Sequence, residues 1–188
     1  MTISINQLAP GLGLKIDDNI YLVTELQHVK PGKGSAFVRV RLKNMKTQQA
    51  LERTYKTADK LEDVELEERR LQNLYRTGDS FYFMDQTTFE EVIIPLEAIG
   101  TAVKFLQEQM EVVGYFYKHE VLKVELPMFI TAEITHTEPG FKGDSSKSGT
   151  KPATIDTGAT IQVPLFVDLG DRIKIDTRDG AYVERVKK

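Results

Sequence analysis

The chain has 188 residues, of which 40% are hydrophobic, enough to form one or more packed cores. It contains no cysteine, which excludes disulfide bonds, thiolate zinc sites and cysteine nucleophiles. No basic segment followed by an apolar run begins the chain, and no apolar stretch is long enough to span a membrane. We therefore expect a cytoplasmic protein with no membrane partner.

Charge is distributed unevenly along the chain, although the 25 basic and 28 acidic side chains give a net charge of only −3. Residues 28–60 hold nine Lys and Arg against two acidic residues, whereas residues 61–126 hold six against fourteen. A concentrated basic segment in a mildly acidic protein favours a polyanionic partner. A solvated surface without a partner is the commoner explanation of charge runs in general.

Two segments rich in β-forming residues, 21–29 and 36–44, predict a hairpin. The second alternates strictly, which predicts one buried face and one charged face. The buried positions are Val38, Val40 and Leu42, and the charged ones are Arg39, Arg41 and Lys43.

The segment between the two strands has the composition of a hairpin loop. Pro31 fixes one backbone angle, and Gly32 and Gly34 tolerate a positive φ. Lys33 lies between these glycines, at the apex of the predicted loop. Considered alone, an exposed turn lysine is its commoner explanation.

The middle of the chain contains one ambiguous segment and one predicted helix. Residues 59–85 fit a helix or strands, and the turn at Gly78 followed by an aromatic run favours strands. Residues 97–110 have helical apolar spacing, flanked on both sides by predicted strands.

A further strand begins at Met128, and a Gly/Ser/Lys/Pro loop over 139–154 either serves recognition or only connects two strands. Three short strands with glycine turns follow. Short strands at regular spacing indicate small β-barrels. Boundaries near Val64 and Pro127 divide the chain into three units, 1–63, 64–127 and 128–188.

The chain lacks the common signatures of catalysis and of metal binding. His28, His119 and His136 are far apart, without carboxylates at metal-ligand spacing, so no metal site is predicted. The segment "PGKGS" lacks the spacing of a phosphate loop, and "GLGLKI" lacks the third glycine of a dinucleotide site. We expect neither enzymatic activity nor a bound cofactor.

Two segments resemble bacterial elongation factor P. One is "KPGKGSAFVRVRLKN" (30–44), and the other is "GDSSKSGTKPATIDTGATIQVPLFVDLGDRIKIDTRDGAYVERV" (143–186). Within the second, residues at the spacing of the family pattern are Lys151, Ala153, Gly158, Ile161, Val163, Pro164, Val167 and Gly170. Weaker similarity in the middle extends the resemblance over essentially the whole chain.

The resemblance implies a mainly β fold of three small barrels in an elongated L. These would be an N-terminal SH3-like (KOW-type) barrel over 1–63 and two OB-folds over 64–127 and 128–188. It also implies a monomeric elongation factor that binds the 70S ribosome between the peptidyl and exit tRNA sites. There it would contact rRNA and position the CCA end of the peptidyl-tRNA, stimulating peptide-bond formation at consecutive prolines.

Particular residues acquire roles from this resemblance. Lys33 corresponds to the residue that a lysine-modifying enzyme alters, with β-lysine, an aminopentanol group or no modification left open. The tip loop around it comprises Lys30, Pro31, Gly32, Gly34 and Ser35. RNA contacts are assigned from the resemblance to Gly143, Asp144, Ser145, Lys151, Tyr182 and Arg185, and from their charged strand face to Arg39, Arg41 and Lys43.

One alternative is a general RNA-binding OB-fold protein that is not specific to the ribosome. Such a protein displays aromatic side chains on its barrel faces, and Phe81, Tyr82 and Phe83 are the candidates, although alternation buries some of them. The Arg39, Arg41 and Lys43 row equally fits the solvated face of an antiparallel strand.

Overall fold

The structure, a computed structural model, consists mainly of β-strands, which form three sheets within the described part of the chain. It describes residues 2–30, 32, 36–139 and 149–186. The mainly β fold class is confirmed. Internal contacts separate two compact units, Met1–Arg69 with Gly114–Lys123 and Arg70–Val113 with Val124–Lys188. The three-domain division stays a prediction.

The first sheet contains the predicted hairpin. Its strands are β1 (Thr2–Ser4), β2 (Gly13–Ile16), β3 (Asn19–Val29), β4 (Phe37–Asn44), β5 (Ala50–Lys56) and β6 (Lys60–Val64). They lie in the order β1-β6-β2-β3-β4-β5. Leu14, Val23 and Val40 form part of the core that this sheet covers.

Strand β4 confirms the predicted alternation. Its inward side chains Val38, Val40 and Leu42 are each at most 1% exposed, whereas Arg39 and Arg41 are exposed. Burying an aliphatic side chain of this size contributes about 1.5–3 kcal/mol. The three apolar residues therefore anchor β4 and direct the two arginines towards solvent, because successive side chains of a strand point to opposite faces.

The second sheet confirms that the ambiguous segment is β-structure. Its strands are β7 (Glu67–Thr77), β8 (Ser80–Asp85), β9 (Glu91–Pro95), β10 (Glu111–Tyr117) and β11 (Glu120–Glu125). Their order is β11-β10-β7-β8-β9. Phe81 and Phe83 of β8 point into the core and are 3% and 0% exposed.

The helix predicted over 97–110 is wrong in extent. The α-helix α1 covers only Leu96–Ile99, and a 3-10 helix follows over Gly100–Phe105. Gly100 has a φ of +63°, a left-handed value that ends α1. Since Ile99 and Phe105 are both buried, the helical apolar spacing belongs to two short helical turns.

The third sheet confirms four predicted strands near the C-terminus and contains one that was not predicted. The four are β12 (Phe129–Thr137), β14 (Thr160–Pro164), β15 (Arg172–Asp176) and β16 (Ala181–Arg185). The fifth is β13 (Thr150–Ile155), so the loop predicted over 139–154 is wrong for residues 150–154, which pair with a neighbouring strand. Their order is β14-β13-β12-β15-β16. Ile155, Val163, Ile173 and Ile175 are completely buried beneath it.

Contacts to the 3-10 helix fix one end of this third sheet. Thr157 Oγ1 donates a 2.6 Å hydrogen bond to the carbonyl oxygen of Lys104. Gly180, between β15 and β16, lies so close to the ring of Phe105 that an added Cβ atom would be 3.0 Å from its Cζ.

The described residues show neither a membrane-spanning helix nor a metal-binding cluster. Among these residues, no helix has both the length and the apolar character needed to cross a membrane. The same part of the chain holds no cluster of three or more His, Asp or Glu arranged to bind a metal ion. His28, His119 and His136 are all exposed.

Candidate RNA interface

The first candidate site is the end of the hairpin formed by β3 and β4. Antiparallel pairing continues to Val29 opposite Phe37, so residues 30–36 connect the two strands. In the sequence, Lys33 is the middle residue of this connection. The register therefore agrees with a loop longer than the two-residue type.

Most of the predicted tip loop lies outside the described residues, namely Pro31, Lys33, Gly34 and Ser35. Lys30 and Gly32 are described, and both are exposed. A Cβ atom added to Gly32 would have no described atom within 4 Å. These two positions border open solvent.

The second candidate site is the outer face of β4. Arg41 Nη1 donates a 2.9 Å hydrogen bond to Glu25 Oε2, and Arg39 Nε lies 3.4 Å from Glu52 Oε1. The arginine side chains are 61% and 47% exposed, respectively, while Lys43 is half-buried. This face presents two guanidinium groups to solvent, each beside a carboxylate of a neighbouring strand.

The third candidate site is the connection between β12 and β13, together with Lys151. Gly143, Asp144 and Ser145 lie outside the described residues. Lys151 is only 6% exposed, and its Nζ donates a 2.7 Å hydrogen bond to the carbonyl oxygen of Glu138. An ammonium group already hydrogen-bonded in the interior is poorly placed to reach a phosphate. This position favours a structural role for Lys151.

A bulge in the last strand brings Tyr182 and Arg185 together. In the pairing of β15 with β16, Ile175 is opposite Tyr182 and Ile173 is opposite Arg185, which leaves Val183 as an extra residue. Ile173 and Ile175 share one face of β15, because side chains two apart on a strand point the same way. The bulge therefore places Tyr182 and Arg185 on one face of β16.

Phe166 completes a cluster with these two residues. Its ring centroid lies 5.7 Å from Arg185 Cζ and 6.3 Å from the Tyr182 ring, which meets it edge to face. Phe166 is 58% exposed, and Arg185 Nη1 also lies 3.4 Å from Asp171 Oδ2. Aromatic rings and guanidinium groups are the surfaces on which unpaired RNA bases stack.

Phe166 is not among the residues predicted from the sequence, because it follows β14, where the alternation of apolar and polar residues ends. A signal was available, since one large aromatic residue lies between Pro164 and Gly170 in a segment with turn composition. The carboxylates of Glu25 and Glu52 were missed for another reason. They become neighbours of the arginines only through strand register.

The turn before β16 is held by Asp176 and Arg178. Hydrogen bonds from the Arg178 side chain and backbone lower the pKa of Asp176 from its ordinary value of 3.8 to about 2. The pKa of Arg178 is raised in turn by its hydrogen bond to Asp176. This ion pair therefore stabilises the turn that leads to Tyr182.

Three family models match consecutive parts of the chain. The Elongation factor P (EF-P) KOW-like domain matches residues 4–61, and the Elongation factor P (EF-P) OB domain matches residues 66–124. The model for Elongation factor P, C-terminal, matches residues 130–185.

Similar proteins match nearly the full chain. Elongation factor P of Thermoanaerobacter sp. (strain X514) is 45% identical over 184 residues, covering 98% of this chain and 100% of the relative. Elongation factor P of Microcystis aeruginosa (strain NIES-843 / IAM M-2473) is 48% identical over 183 residues, covering 97% and 99%.

Solved structures share the fold at low sequence identity. Eukaryotic translation initiation factor 5A from Methanococcus jannaschii aligns with a TM-score of 0.50 at 24% identity, covering 68% of this chain and 92% of that one. A translation initiation factor eif-5a family protein from Naegleria fowleri ATCC 30863 aligns with a TM-score of 0.52 at 16% identity, covering 67% and 98%.

The family models and the full-length relatives together define a translation elongation factor. The chain belongs to the elongation factor P family.

Proposed function

We propose that this chain binds the 70S ribosome between the peptidyl and exit tRNA sites and stimulates peptide-bond formation at consecutive prolines. Family membership supports the proposal. The structural observation that carries it is a hairpin paired as far as Val29 and Phe37, whose connection is centred in the sequence on Lys33. A long paired hairpin is suited to carrying one side chain into a narrow cleft.

The obstacle at consecutive prolines is geometric. Proline has a fixed φ and a secondary amine, which restricts how the incoming nitrogen can approach the peptidyl ester. Effective molarities of well-oriented reactions correspond to about 7–11 kcal/mol of barrier, so orientation alone can restore much of a lost rate. A factor that orders the CCA end of peptidyl-tRNA needs no acid, base or nucleophile of its own.

Lys33 is the group that acts at this end. An ammonium is a compact cation with three donors, suited to phosphate and ribose oxygens. A lysine-modifying enzyme would lengthen its reach, and this covalent modification would be the only addition the chain needs. Neither a cofactor nor a metal enters the proposal.

Two other surfaces would hold the body of the factor. Arg39, Arg41 and Lys43 would contact phosphates of tRNA or rRNA without reading sequence. The cluster of Phe166, Tyr182 and Arg185, with Gly143, Asp144 and Ser145, would contact RNA on the small-subunit side near the exit site. The factor would act as a cytoplasmic monomer and would not be an enzyme.

The alternative, a general RNA-binding OB protein, is less well supported. It needs a row of displayed aromatic side chains, but Phe81 and Phe83 are buried. Tyr82 stacks on Tyr75 with 4.5 Å between ring centroids, so these two rings already occupy one face of each other. That leaves a smaller surface for bases than the alternative requires.

Co-sedimentation with 70S ribosomes, in competition with single-stranded homopolymer RNA, separates the two functions. We expect ribosome binding that homopolymer does not displace. Arg39→Ala combined with Arg41→Ala should weaken this binding. The negative slope of log affinity against log salt should become shallower by about 1.4–1.8, since each phosphate contact contributes about 0.7–0.9. Equal affinity for ribosomes and homopolymer would support the alternative.

A further inference from the structure

The arginines of β4 are enclosed by acidic side chains from both neighbouring strands. In the register of the sheet, Glu25 of β3 and Glu52 of β5 lie directly opposite Arg41, one on each side. Arg39 is one row along, opposite Gln27 and Thr54. It reaches Glu52 diagonally, at 3.4 Å.

A β-bulge in β3 places Glu25 opposite Arg41. Pairing of β3 with β4 shifts between Val23 and Glu25, which makes Thr24 an extra residue. Without the bulge, Thr24 rather than Glu25 would follow Val23 into the position beside Arg41. Thr24 instead donates a hydrogen bond from Oγ1 to the carbonyl oxygen of Arg41, at 3.1 Å.

The cluster formed by the two arginines and the two glutamates is open to solvent and has equal numbers of positive and negative charges. A surface cavity of about 170 Å³ is lined by Glu25, Gln27, Arg39, Arg41 and Glu52. Two guanidinium groups face two carboxylates, so this patch carries no net charge. The side chains of Glu25 and Glu52 are 64% and 53% exposed, respectively. This exposure leaves space for them to adopt other rotamers.

We infer that Glu25 and Glu52 are specificity determinants that occupy Arg39 and Arg41 in place of RNA phosphates until a correctly shaped RNA surface displaces them. This inference rests on the proposed role of the two arginines in RNA binding. An exposed ion pair is weak, so it can be broken by a fixed RNA surface that presents phosphates to the arginines and hydrogen-bond donors to the displaced carboxylates. The pairs must be broken for any RNA, but a loose strand offers no fixed donors to the displaced carboxylates, so the competition lowers its affinity more.

The carboxylates also reduce the long-range attraction between this face and nucleic acid. Because the patch has no net charge, fewer counterions leave the nucleic acid when it approaches, which flattens the salt dependence of weak binding. A factor that must find one ribosomal site among much cellular RNA benefits from low affinity for the rest.

The test uses a double variant that carries both Glu25→Gln and Glu52→Gln. It is compared with a control double variant that carries Asp18→Asn and Glu120→Gln. The control removes the same charge from two exposed acids that pair with Lys15 and Lys46. All four substitutions conserve side-chain size at exposed positions, and circular dichroism confirms folding. The probe is poly(U), measured at several salt concentrations, with 70S ribosomes in parallel.

For the Glu25 and Glu52 variant we expect about five- to twentyfold tighter poly(U) binding, because each exposed pair accounts for a factor of up to about five. The log–log salt slope should steepen by about 1.4. Adding Arg39→Ala and Arg41→Ala should remove the gain. Ribosome affinity should rise less than poly(U) affinity, so the ratio between them falls.

Other outcomes separate this inference from the proposed function. A gain no larger than that of the control, or one that survives loss of both arginines, would overturn the inference even if the arginines contribute to ribosome binding. The expected gain on poly(U), together with no ribosome binding by the unaltered protein, would instead sustain the role of the carboxylates and contradict the proposed function.

Discussion

Replacing Gly180 by alanine tests how the 3-10 helix and the turn before β16 fit together. Gly180 has a φ of +78°, and an added Cβ would lie 3.0 Å from Cζ of Phe105, which is 1% exposed. The left-handed conformation costs a non-glycine residue about 1–2 kcal/mol, and forcing an atom against a buried ring costs about 1–3 kcal/mol more. We expect Gly180→Ala to lower the free energy of unfolding by about 2–5 kcal/mol.

Gly158→Ala is the matched control. Gly158 has a φ of +85° in the same unit of the chain, but its Cβ would meet nothing within 4 Å. It should therefore cost only the conformational part, about 1–2 kcal/mol. Because the chain has no tryptophan, unfolding in urea is best followed by circular dichroism.

Equal losses in the two alanine variants would refute the argument from the Phe105 contact. A second comparison tests the contact itself, since Phe105→Leu provides space for the new methyl group. Combined with Gly180→Ala it should be less destabilising than the sum of the two single changes. Strict additivity would mean that the ring and the turn do not interact.

Three further predictions concern the C-terminal sheet. Phe166→Ala should change the free energy of unfolding by no more than about 1 kcal/mol from that of the unaltered protein, but it should weaken ribosome binding. In a double-mutant cycle, Arg185→Ala should weaken ribosome binding less when Phe166 is already replaced. Lys151→Met should destabilise the fold by about 1–3 kcal/mol without changing the salt slope of RNA binding; a shallower slope would show that this lysine does contact phosphate. Asp176→Asn should lower the free energy of unfolding at neutral pH. Because Arg178 holds the pKa of this carboxyl at about 2 in the folded state, the unaltered protein loses this contribution as the pH falls from about 4 towards 2. The variant should not show that part of the loss. Identical acid-unfolding curves for wild type and Asp176→Asn would exclude a contribution from this pair.

Periodicity predicts the buried and charged faces of β4 because a strand alternates with a period of two. Val40 and Arg41 illustrate this, the first completely buried and the second exposed. The partners of Arg41 are a different matter. Glu25 is 16 residues away in the sequence, and only the bulge at Thr24 places it opposite, so a count of charges along the chain overstates how basic this face is.

The C-terminal cluster shows the same limit. Tyr182 and Arg185 are three residues apart, a spacing that puts two side chains of a regular strand on opposite faces. The bulge at Val183 reverses this. Bulges depend on pairing across the sheet and leave little signal in the local sequence, so the residues of this site are predictable but their common face is not.

In the proposed function, Lys33 orders the peptidyl-tRNA and takes no part in bond making. This role is tested most directly by the single-turnover rate of peptide-bond formation between a proline donor and a proline acceptor on 70S ribosomes. Unaltered protein from its native cells should be compared with Lys33→Ala, each at a concentration that saturates the ribosomes. This role of Lys33 predicts that the bound variant leaves the rate at that of ribosomes alone, while a donor and acceptor pair without proline is unaffected by either protein. Acceleration by Lys33→Ala equal to that of the unaltered protein would contradict it.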